Sequence, residues 1–179
     1  MKRNIGSILL ATLALTLIAA VTTGLLAATN ALTKDTIAAL NAEATTASRQ
    51  QVLSADSFEE ATVTLKDGET AAYHQGVKDG KVIGYVFAVS GSGKSSGLEV
   101  MTGVDLEGNI TGVAVVSNNE TAGYVDKVEK AGLLAALVGK DSTEGVDAVS
   151  QATKTSNGIL KAVDKAMTIY QTVKGEAVK

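Results

Sequence analysis

The hydrophobic pattern divides the chain into a long uncharged run, a helical stretch, a block of alternating residues and two further helical stretches. Asn4 to Thr33 carry no charge. As a helix this run is about 45 Å long, against a hydrocarbon core of about 30 Å, so it predicts a membrane span over 4–33 within an anchor of 1–33. Lys2 and Arg3 precede the span, while Lys34 and Arg49 follow it, which favours a cytoplasmic N-terminus and a main domain outside the cytoplasm. A cleaved signal peptide fits the same charges. The length of the run and the lack of a clean A-x-A site favour an anchor. Ile37, Leu40, Ala44 and Ala47 then recur at helical spacing, with Val52-Leu53 closing the run, which predicts a helical stalk within 34–56. From there the period becomes two. Segments 61–65, 70–77, 81–90, 98–105 and 109–117 are rich in Val, Ile, Thr and Tyr, and Asp67-Gly68, Asp79-Gly80 and Glu107-Gly108-Asn109 punctuate them as tight turns. The helical period returns over 122–138 (Val125, Val128, Leu133, Leu134, Leu137) and over 156–173 (Ile159, Leu160, Val163, Met167, Ile169, Tyr170). The predicted fold class is α+β: an N-terminal transmembrane helix, then an antiparallel sheet covered by helices over 57–179.

With 179 residues and 45% hydrophobic side chains, the chain can build one domain with a real core. Without Lys2 and Arg3 the portion after residue 33 has 14 basic against 19 acidic residues, a net charge of −5. A domain of that charge has no electrostatic footprint for nucleic acid. The absence of cysteine fits an oxidising compartment. His74 is the sole histidine, so zinc and haem sites are not expected, and His74 reads as a surface or half-buried structural residue. The carboxylates show no paired arrangement, and no catalytic acid or base is expected. Ala88 to Ser95 fits a loosened phosphate-loop pattern, but Leu98 to Thr102 alternates like a strand where a phosphate loop must open a helix. It reads as a hairpin loop.

Candidate chemistry concentrates in Asp147-Ala-Val-Ser150-Gln-Ala152-Thr153-Lys-Thr155-Ser156. A threonine hydroxyl stands there among small residues, just ahead of a helix expected to begin near Thr155 or Ser156. Unpaired amides and a positive dipole end make such a position favourable for an anion. Read from the residues alone, the segment also suits a polar loop with an N-cap. It resembles the D-x-x-[ST]-G-A-T motif of the FMN-binding domain family shared by the G subunit of the Rnf complex and the C subunit of the Na+-translocating NADH:quinone reductase. Gln151 stands where those families usually have glycine. Glu120-Thr121-Ala122-Gly123-Tyr124, with Lys127 beyond it, is similar to their E-T-P-G-L-G-x-K segment, with alanine for proline and tyrosine for leucine. Their glycine-rich turn falls at Gly91 to Gly97, without its usual aromatic residue.

The resemblance implies FMN attached through its phosphate to Thr153. Ser150 and Ala152 leave room for the ester, and Thr155 and Ser156 lie nearby. Asp147, Ser150 and Thr153 are implied as the segment read by a flavin transferase. Thr121, Gly123 and Lys127 are implied beside the flavin, although they equally suit a helix start with Thr121 as cap and Lys127 in solvent. The function implied is electron relay in an Rnf-type complex that couples ferredoxin:NAD electron transfer to ion translocation. Its partners would be other membrane and iron–sulfur subunits, a flavin transferase and membrane lipid. A stand-alone membrane-anchored FMN carrier would use the same motif. A cofactor-free adhesion or assembly domain is the remaining alternative.

Overall fold

The fold is described by a computed structural model covering residues 9, 12–24, 46–66 and 68–177. Met1–Ala44 and Thr45–Lys179 form two separate compact units. In the first, residues 12–24 are helical. Its apolar side chains are exposed, Leu13, Leu15, Leu17 and Ile18 all above 60%. Thr16 and Thr22 donate their hydroxyls to the carbonyls of Thr12 and Ile18, each at 2.9 Å, four residues back. Among the described residues no helix is long and apolar enough to cross a membrane. The rest of the predicted 4–33 span, and the 34–45 part of the predicted stalk, lie outside the described residues.

The second unit is built on five strands: β1 (Ser57–Thr64), β2 (Thr70–Lys78), β3 (Lys81–Ser92), β4 (Ser96–Asp105) and β5 (Ile110–Ser117). They pair antiparallel in chain order, the meander that the turn signals predict. Three labelled helices follow: α1 (Tyr124–Lys130), α2 (Leu133–Leu137) and α3 (Thr153–Ala177). The helix expected over 122–138 is two helices. Gly132 takes a left-handed φ of 78°, which ends the first and starts the second. The helix expected from 156 begins at Thr153, so Thr153 is its first residue rather than part of a loop ahead of it.

α3 lies on one face of the sheet. Ile159, Ala162, Val163, Ala166, Met167, Tyr170 and Val173 recur at helical spacing and join Phe87, Val89, Leu98, Val100 and Val104 in the main core. Residues 46–52 are helical, and Val52 and Leu53 are buried in a second cluster with Val86, Met101 and Ala114. Glycines on four strands admit this segment. A Cβ at Gly76 would strike the Leu53 side chain, one at Gly84 would strike Val104 O and crowd Leu53 at 3.2 Å, and one at Gly103 or Gly112 would strike the Val52 backbone. Gly76 pairs with Gly84 and Gly103 with Gly112, so these small residues form a trough across the sheet.

Candidate functional site

The start of α3 meets the β3–β4 hairpin and the segment before α1. Ala152 N–H donates to Val149 O at 3.1 Å, and Ser156 N–H donates to Ala152 O at 2.9 Å. The Ser156 bond is the first of the helix, so the amides of Thr153, Lys154 and Thr155 come before any intrahelical partner. Thr153 is exposed at the first position, its Oγ1 a long 3.5 Å from Val149 O. Ala152 beneath it is buried. Ser156 is fully buried, its Oγ accepting from Val149 N–H at 3.1 Å and donating to Ala152 O at 3.0 Å. It fixes the turn that presents Thr153. Gln151 holds a φ of 64°, in the left-handed region, which accounts for glycine being usual at this motif position.

Glu120 ties three segments together. Its Oε1 accepts from Ser95 N–H at 2.8 Å, and its Oε2 accepts from Lys94 N–H at 3.2 Å and from the Thr155 hydroxyl at 2.8 Å. Burial opposes ionisation of this carboxyl. The hydrogen bonds from Ser95, Thr155 and Lys94, with the Lys94 charge, outweigh burial and hold it below the ordinary carboxylate value. Thr155 is therefore a buried structural hydroxyl, unlike exposed Thr153. The hairpin approaches α3 backbone to backbone. A Cβ at Gly158 would lie 2.8 Å from Ser92 O, and one at Gly93 would lie 2.7 Å from Glu120 Oε1. Lys94-Ser95 leads into β4, a strand, as the hairpin reading expects.

Around Thr153 lies a surface pocket of about 320 Å³, lined by Lys94, Tyr124 and the run Gln151 to Thr155. Lys94 Nζ stands 5.0 Å and Lys127 Nζ 5.7 Å from the centre of the Tyr124 ring. Lys127 Nζ also donates to Gln151 Oε1 at 3.4 Å. Thr121, Gly123, Asp147 and Ser150 are exposed, and none of them lines the pocket. α1 is capped by Gly123 at a φ of 85°, with no side-chain cap bond, so Thr121 does not serve as the cap. Sequence reasoning assigned no site role to Lys94, Glu120 or Tyr124. A signal for two of them was present. Glu120 and Tyr124 bracket the Thr121-Ala122-Gly123 motif.

A family model described as "FMN-binding domain" matches residues 93–168. Another, described as "RnfG N-terminal region", matches residues 1–52. The G subunit of the Na(+)-translocating ferredoxin:NAD(+) oxidoreductase complex of Acetobacterium woodii is 29% identical over 187 residues, covering 89% of each chain. The G subunit of the ion-translocating oxidoreductase complex of Aliivibrio fischeri is 28% identical, also over 89% of each chain. That of Escherichia coli K12 is 33% identical over 64% of this chain and 60% of its own length. The relatives it matches, and the model over residues 1–52, are of the RnfG family.

The residues around Thr153 fit an FMN phosphate there. The hydroxyl is exposed at a helix start whose first amides have no intrahelical partner, where an anion is favoured. Lys94 and Lys154 line the same pocket, with Lys127 beside it, and the close glycine contacts bring the hairpin up to the helix start. Among the described residues, no cluster of His, Cys, Asp and Glu could hold a metal ion.

Proposed function

We propose that this chain is a membrane-anchored subunit with covalent FMN that relays electrons within an Rnf-type complex, between ferredoxin and NAD, while the complex moves ions across the membrane. The observation that carries this reading is Thr153: an exposed hydroxyl on the first residue of α3, in a pocket within the FMN-binding domain match. FMN, when bound, supplies exchange of one or two electrons, which suits a relay between iron–sulfur centres and other carriers.

This chain's own residues would seat the group. Thr153 Oγ1 would hold its phosphate as an ester, and the α3 amides with Lys94, Lys127 and Lys154 would offset the charge. Ser150 and Ala152 keep bulk away from the ester, and Ser156 and Thr155 fix the turn and helix start behind it. Asp147 and Ser150, exposed upstream, present the segment to a flavin transferase. Thr121 and Gly123, outside the pocket lining, form the turn that leads into Tyr124. No residue acts as a catalytic acid or base. The partners are the membrane and iron–sulfur subunits of the complex and the surrounding lipid.

Residues 1–33 are the proposed anchor with a cytoplasmic N-terminus and 57–179 the proposed extracytoplasmic FMN-binding domain, while Val52 and Leu53 of the expected 34–56 stalk pack into that domain's sheet instead of standing clear of it. The exposed leucines of 12–24, with threonine hydroxyls satisfied within the helix, support lipid contact. A C-terminal reporter that works only outside the cytoplasm should be active, and activity from a cytoplasmic reporter would reverse the topology. Full-length protein made with a flavin transferase should exceed its sequence mass by one FMN less water. Thr153→Ala should lack the addition, and covalent flavin on that variant would overturn the assignment.

A further inference from the structure

We propose that Tyr124 is the flavin-contact residue of this pocket, a reading that rests on FMN being held at Thr153. Among the described residues, Tyr124 is the sole aromatic side chain lining the pocket. A planar ring system tethered there needs an apolar wall, and the other lining residues offer only Ala152, threonine methyls and the stems of polar side chains. The tyrosine is half-buried and packs in part against the main core. Left-handed Gly123 turns the chain into α1, Tyr124 N–H donates to Thr121 O at 3.2 Å, and Val125 and Val128 anchor the helix in the protein. Lys94 and Lys127 stand over its ring, the arrangement of an electron-rich surface drawing cations. Lys94 is exposed, on a long flexible stem, and can move off the ring to admit a larger planar partner.

The other aromatic residues are committed elsewhere. Tyr73, Tyr85, Phe87 and Tyr170 form one cluster with ring centres 5.9 to 6.5 Å apart. Phe58 packs with the second core cluster, and the chain has no tryptophan. Any quenching of a Thr153-linked flavin by an aromatic side chain therefore falls to Tyr124. An excited flavin in contact with a phenol takes an electron from it and returns it, leaving both unchanged and the flavin dim. Phenylalanine and leucine do not donate in this way, whereas tryptophan does.

The test is flavin fluorescence of the full-length protein in detergent, with intact mass verifying one FMN on each variant. Flavin emission should rise several-fold in Tyr124→Phe and Tyr124→Leu, and stay low in Tyr124→Trp. Tyr124→Phe keeps the ring, so its brightening cannot come from lost packing. Equal emission from wild type and Tyr124→Phe, both carrying FMN, would overturn the contact while leaving the Thr153 reading intact. A wild-type protein whose mass shows no FMN would overturn both, and the mass spectrum distinguishes the two failures.

Discussion

Gln151 shows how a single side chain bears on the site. A non-glycine residue in the left-handed region costs about 1–2 kcal/mol, and Gln151 sits there at a φ of 64° just before the start of α3. Gln151→Gly should raise stability by about 1 kcal/mol, the strain relieved less the entropy that glycine loses on folding. Its exposed contact with Lys127 is worth little against that. Thermal melts of the two proteins check this, and a lower melting point in the glycine variant would refute it. Glu120 gives a pH signature. Its folded value lies below the ordinary 4.5, so its contribution is fully present above that value and is lost as pH falls through the folded one. The stability gap between wild type and Glu120→Gln should therefore be largest near neutral pH and shrink in strong acid, as read by denaturant titrations. A gap that widens with acid would contradict the hydrogen-bond geometry. Thr153 was legible in the sequence because its neighbours form a short local motif. The role of Glu120 was not, because its three donors lie 25, 26 and 35 residues away.

At the scale of elements, strand periodicity was legible and helix ends were not. The five strands follow from alternating residues and Gly-containing turns, which are local signals. The split at Gly132 follows from a backbone conformation that apolar spacing does not report. The buried Val52-Leu53 segment depends on glycines from four strands meeting in register, a match between distant stretches of chain. It yields a direct expectation. A methyl group at Gly112 would sit 2.7 Å from Val52 Cα, so Gly112→Ala should destabilise the domain by about 1–3 kcal/mol. Gly175→Ala, in α3 with nothing near its added carbon, should instead stabilise by about 0.5–1 kcal/mol. Urea titrations of both decide the matter. A neutral Gly112→Ala would mean that the segment shifts freely on the sheet.

For the whole molecule, the flavin reading separates chemistry from architecture. Thr153→Val should preserve fold and assembly, since it removes only an exposed hydroxyl with a long 3.5 Å contact. It should abolish ferredoxin-to-NAD electron flow, and the ion gradient coupled to it, in membranes holding the variant as their sole copy. Wild-type rates in those membranes would take this flavin off the electron path. The sequence by itself determined the order of elements, the α+β class, the apolar N-terminal run and the small-residue segment around Thr153. Each is written in local periodicity, in charge or in a contiguous motif. Only the tertiary structure decided what surrounds that threonine. Lys94 on a hairpin, Glu120 before α1, Tyr124 at its start and Thr153 on α3 are separated in the chain. They meet because the meander turns the hairpin back against α3, and glycines at the contact let the two backbones touch. Local pattern fixes what each segment becomes. Which side chains share a pocket depends on packing between segments, and no local pattern records it.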